Sequence, residues 1–94
     1  MMNQQSKPIA HPVVVLREEF DDCAVLFHPD TADAVGINPV GVALWKLMDG
    51  TRTLVDLVAE LGGLFSGLPG SAPEEVAGFV EDLERRGFVG YTVQ

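Results

Sequence analysis

The sequence predicts an α+β domain in which a three-stranded antiparallel sheet is followed by three helices. Three observations carry that expectation. Between residues 12 and 37 the apolar residues come in short, β-branched runs separated by acidic or proline-containing turns. At Asn38 the apolar period changes from two residues to about 3.6. From there to residue 86, three helix-length stretches each follow a residue suited to capping, with glycine-containing connections beyond the first two.

The opening MMNQQSKPIA is polar, aperiodic and carries Pro8, which reads as a flexible N-terminal arm over residues 1–10, with one domain over 11–94. From Pro12 the run VVVLRE supplies a first strand and EFDD an acidic turn. CAVLFH is the second strand, closed by Pro29, so the pair forms a hairpin. In the third strand Val35 and Ile37 share one face and Ala34 and Gly36 the other. Gly36 leaves backbone uncovered, as at a bulge or where another backbone approaches.

Asn38 is a good N-cap, and Pro39 fits the first helical turn because its missing N–H removes no helical bond. Val40, Ala43, Leu44, Leu47 and Met48 form the inward face of this helix, Trp45 flanks it, and Gly50 suits a left-handed C-terminal turn. Thr53 with Asp56 makes a capping-box pattern ahead of the stripe Leu54, Leu57, Val58 and Leu61; the Gly62–Gly63 pair weakens that second helix. SGLPGSAP is a loop, and Ser71 with Glu74 opens the last helix, 72–86, with Val76, Phe79, Val80 and Leu83 inward and Glu81 set to pair with Arg85. Gly87 ends it, and FVGYTV returns to strand-like residues.

Ninety-four residues suffice for one core, since chains of this length bury roughly 60 to 70% of their unfolded surface. With 47% hydrophobic and 21% charged residues the composition is globular. A formal charge of −8 would repel the polyanions whose neutralisation drives nucleic-acid binding, and it opposes anionic membranes as well. The lone Cys23 forms no internal disulfide, and neither a cleavable signal nor a long apolar run is present, so a cytoplasmic location is expected.

Groups capable of chemistry are few: Cys23, His11, His28 and the acids near the first turn. Cys23 and His28 lie five residues apart and so face opposite sides of a regular strand, which disfavours a Cys–His pair and suits a buried thiol. A metal site from His11, Cys23, His28 and Asp30 lacks any recognised ligand spacing. Asp21 and Asp22 suit an exposed turn, Trp45 a core anchor, and no glycine pattern matches a phosphate loop. The expectation is no catalytic residue, no metal and no cofactor.

Strands followed by three short helices give a winged helix-turn-helix-like layout. The last helix of such a fold would enter the DNA groove, yet here it carries Glu74, Glu75, Glu81, Asp82 and Glu84 against Arg85 and Arg86. Two readings without nucleic acid stay open: a peptide-binding module, or an acidic winged-helix regulator or protein-interaction module.

The stretch NPVGVALWKLMDGTRTLVDLVAEL, followed by VAGFVEDLERRGFV, resembles the PqqD-like family of peptide-recognition domains, also described as RiPP precursor recognition elements. The resemblance runs from about Pro12 to Val89 and rests on Asn38–Pro39, Trp45, Asp49–Gly50 with Thr51–Arg52–Thr53, and Leu83 with Gly87–Phe88–Val89. It implies a non-catalytic adaptor that binds the leader of a ribosomally made precursor peptide and presents it to a modifying enzyme, often of the radical SAM type. The leader would add as a strand to the third strand, at Ala34, Val35, Gly36 and Ile37, in a groove against Val76, Ala77, Val80 and Leu83 of the last helix. Val76, Val80 and Leu83 could equally be consumed by the core. An acidic leader would call for apolar contact or for Arg17, Arg85 or Arg86. Monomer and homodimer both remain open, because a free strand edge can also pair with a second copy.

Overall fold

The computed structural model describes residues 6–20 and 23–92. In chain order the elements are β1 (Lys7–Ala10), β2 (Val15–Phe20), β3 (Cys23–His28), β4 (Asp33–Ile37), α1 (Pro39–Leu47), α2 (Leu54–Leu64), α3 (Ala72–Arg85) and β5 (Val89–Thr92). The antiparallel sheet β2-β3-β4 precedes the three helices, as the periodicity predicts.

Alternation sorts the residues of this sheet. Leu16, Leu26 and Val35 are cross-strand neighbours on the inner face, while Val15, Phe27 and Ala34 form the matching exposed row outside. Cys23 shares the parity of Phe27 and is exposed, so the expectation of a buried thiol fails. β2 begins at Val15 because the N–H groups of Val13 and Val14 donate to Nδ1 and the carbonyl of His11, which makes a turn there. The acids expected in the first turn, Asp21 and Asp22, lie outside the described residues.

The caps of α1 and α2 are formed as expected. Asn38 accepts the Gly41 N–H at 2.8 Å, and Thr53 and Asp56 exchange both capping-box bonds. α2 runs through Gly62 and Gly63 to Leu64, because burial of Leu57 and Leu61 outweighs their poor propensity. At α3 the predicted box is not made: the chain enters through a turn in which Ala72 N–H donates to the Pro69 carbonyl, and the Ser71 hydroxyl donates to Glu75 instead. Arg85 pairs with Asp82 and not with Glu81. Gly87, at φ 81°, completes a Schellman ending in which Phe88 N–H donates to the Leu83 carbonyl and Gly87 N–H to that of Glu84. The side chains of Phe88 and Leu83 are both fully buried beside that turn.

Residues 7–10 are no flexible arm. β1 pairs antiparallel with β5 on one side; on the other, Ala10 N–H donates to the Met48 carbonyl at 2.8 Å and Gly50 N–H to that of Pro8 at 3.1 Å. The side chain of Pro8 is fully buried. A polar, proline-bearing stretch is ordered because it fills the slot between β5 and the α1–α2 connection, a long-range pairing that leaves no local signature. Met1–Gln5 lie outside the described residues.

That connection is itself braced. Asp49 accepts from the Thr51 hydroxyl and N–H, and Arg52 Nη1 reaches both Asp49, at 3.2 Å, and the Leu47 carbonyl, at 3.1 Å. The bonds from Thr51, and then Arg52, hold the Asp49 carboxyl below its ordinary range.

Candidate functional site

The two edges of the main sheet differ. β2 presents Arg17, Glu18 and Glu19 and loses register between Glu18 and Phe20, both features that discourage pairing with a further strand. β4 is bonded to β3 on one side and to no other strand on its second side among the described residues. From Ala34 to Ile37 that edge carries no charged side chain.

Beside the C-terminal end of β4 lies a cleft of about 350 Å³, bounded by β4, the start of α1, α2 and the first half of α3. Ile37, Val40, Leu44, Leu68, Val76 and Phe79 supply its apolar wall. Gly41 makes its shape possible. A Cβ there would meet Ile37 Cβ at 3.0 Å and Phe79 Cζ at 3.4 Å, so glycine lets α1 press against β4 and α3 together. At Gly36 a Cβ would meet nothing within 4 Å.

The expected site residues divide. Gly36, Ile37 and Val76 line the cleft, and Ala34 and Val35 continue the same strand edge. Ala77 is half-buried and outside the lining. Val80 and Leu83 are 0% exposed: the core consumes them, and they back the groove without presenting a surface. Val40, Leu68, Glu75 and Phe79 belong to the lining and were not expected there. The i, i+4 spacing of Glu75 and Phe79 is the signal that puts those two on one helical face; Leu68, in a loop, has none.

At the other end of β4 the groove walls are tied together. Arg86, capping α3, donates from Nη1 to both Asp33 oxygens at 3.1 and 3.3 Å, and from Nε to Asp82 at 3.0 Å. Asp82 is held below the ordinary carboxylate range by the Arg86 bond, and Arg86 is pushed up, chiefly by Asp82 and then by Asp33. Of the arginines considered for an acidic leader, Arg85 and Arg86 are thus engaged with aspartates, while Arg17 lies on β2 beside Glu19.

The titratable groups considered for chemistry are only partly brought together. The rings of His11 and His28 lie 5.3 Å apart, and His28 accepts the Asp30 N–H through Nδ1, so the backbone of Asp30 and not its carboxylate meets the ring. Cys23 occupies the far end of β3. Among the described residues no three His, Cys, Asp or Glu side chains are grouped to hold a metal, and no helix is long and apolar enough to cross a membrane.

The fold has solved counterparts. TbiB1 in complex with the TbiA(beta) leader peptide is similar at a TM-score of 0.70, with 20% identity over 92% of this chain and 99% of that one. Lasso peptide synthetase B1 complexed with the leader peptide gives 0.69 and 14% identity over 89% and 98%. No curated protein sequence matches the chain. The family model described as coenzyme PQQ synthesis protein D, PqqD, matches residues 23–89, from the start of β3 to the start of β5 and through the whole of the groove. The chain belongs to the PqqD family.

Proposed function

We propose that the protein binds the leader of a ribosomally made precursor peptide as a strand added to the free edge of β4. It presents that peptide to a separate modifying enzyme, of the radical SAM type, and performs no chemistry itself. The observation that carries this reading is the uncharged, unpaired edge at Ala34–Ile37 opening beside an apolar cleft on α3. Main-chain bonds along such an edge give affinity, and pockets for alternate side chains give selectivity. The two similar structures, each of a protein with a leader peptide bound, support the same role. The backbone of Ala34 to Ile37 would pair with the peptide, with Val76 and Phe79 receiving a side chain and Val80 and Leu83 bracing them from behind.

Titration of isotope-labelled protein with the leader of a short peptide encoded beside its gene tests this. Saturable amide shifts at residues 34–37 and along the first half of α3 are expected. Shifts that avoid β4, or none at all, overturn the reading.

A further inference from the structure

This inference rests on the peptide-binding reading and concerns which peptides the groove selects. Among the described residues the polar side chains lining the cleft are those of Asn38 and Glu75. Asn38 is committed to capping α1 through the Gly41 N–H. Glu75 accepts from the Ser71 hydroxyl and takes part in no ion pair among the described residues. The cations of α3, Arg85 and Arg86, are held by Asp82 and Asp33 at the opposite end of the groove. The whole chain carries a formal charge of −8. An exposed carboxylate lining an apolar cleft, without an ion-pair partner among the described residues, favours a cation arriving with the ligand and disfavours an anion.

We propose that Glu75 is a specificity-determining residue and that the groove selects a strand carrying a large apolar side chain with a Lys or Arg two positions away. The spacing follows from geometry. Alternate residues of a strand share a face and lie about 7 Å apart, and positions four apart on a helix, as Glu75 and Phe79 are, lie about 5–6 Å apart. Arg86 meets Asp33 at one end of β4 and Phe79 lines the cleft at the Ile37 end, so β4 runs back along α3, and a peptide on that edge with its apolar side chain against Phe79 and Val76 brings its next residue on that face, toward the start of α3, to Glu75. The inference sets a basic requirement beside the apolar anchor, where Arg17, Arg85 and Arg86 would have implied an acidic one.

Selection of short random peptides on the full-length protein, repeated on Glu75→Gln and Glu74→Gln variants, tests the proposal. Peptides enriched on the native chain should pair a large apolar residue with Lys or Arg two positions away. Replacing that basic residue by Glu should weaken binding about three- to tenfold, the range that attraction replaced by repulsion gives for an exposed pair. The preference should vanish in Glu75→Gln and persist in Glu74→Gln, which removes the same charge from a neighbouring position outside the lining. A preference lost equally in both variants, or absent from the native chain, overturns the role of Glu75. Amide shifts at residues 34–37 on binding an enriched peptide keep that failure distinct from failure of strand addition. Enrichment of nothing that reaches β4 overturns both.

Discussion

Arg86 at the end of α3 grips both carboxylate oxygens of Asp33, the first residue of β4, from a single guanidinium nitrogen at 3.1 and 3.3 Å. The contact joins the two walls of the groove across 53 positions of sequence. Its partners are more than a third exposed, so salt screens it. Arg86→Gln should lower the urea midpoint slightly at low ionic strength, and the difference from native protein should shrink at about 0.5 M salt. Arg86→Lys should not restore it, because an ammonium lacks the fork that spans Asp33 and Asp82 together. Equal midpoints at low salt would show the clasp to be without weight.

Two glycines give a matched pair of tests. Gly41→Ala should cost up to about 2 kcal/mol, since overpacking of roughly 1–3 kcal/mol against Ile37 and Phe79 is offset by a helix-propensity gain of about 1. Gly36→Ala should raise stability by roughly 0.5 kcal/mol, because the added methyl meets nothing and alanine loses less backbone freedom on folding into the strand. Chemical denaturation measures both, and the reverse order would contradict the close approach at α1.

Removal of residues 1–10 should destabilise the domain by roughly 3 kcal/mol or more, through loss of the β1–β5 ladder, the bonds to Met48 and Gly50, and the buried Pro8. A flexible arm would be removable without change in the melting temperature.

Acid should weaken the braces at Asp49 and Asp82. Both carboxyls are lowered from an ordinary value of 3.8, so their contribution is complete above that value and is lost as the pH falls through the lower folded values. Asp49→Asn and Asp82→Asn should therefore flatten the fall in stability below about pH 4, read as urea midpoints across that range. Unchanged slopes would mean that neither carboxyl is held below its ordinary range.

Most of the fold is legible from the chain because it is encoded locally. Asn38–Pro39, the Thr53–Asp56 box and Gly87 each satisfy a helix end with neighbours in sequence, whereas Cys23–His28 is apolar on both faces and so does not tell from sequence that Cys23 points outward. β1 is invisible to such reading because its partners lie at 48–50 and 89–92. Ser71 misleads for a related reason: a capping sequence is present, but the preceding turn denies it the extended backbone that a cap needs. The free side of β4 is legible from sequence, whereas which residues of α3 line the cleft is not. An apolar stripe shows which residues leave water without showing which are the last to do so, and that separates Val80 and Leu83, behind the wall, from Phe79 on it.

The register of β1 on β5 sets Lys7 opposite Thr92. The first and last described strands of the chain therefore lie side by side, in the second sheet and not in the one that offers β4. Units whose ends meet can be spliced into a host protein at a single surface point with little disturbance to either.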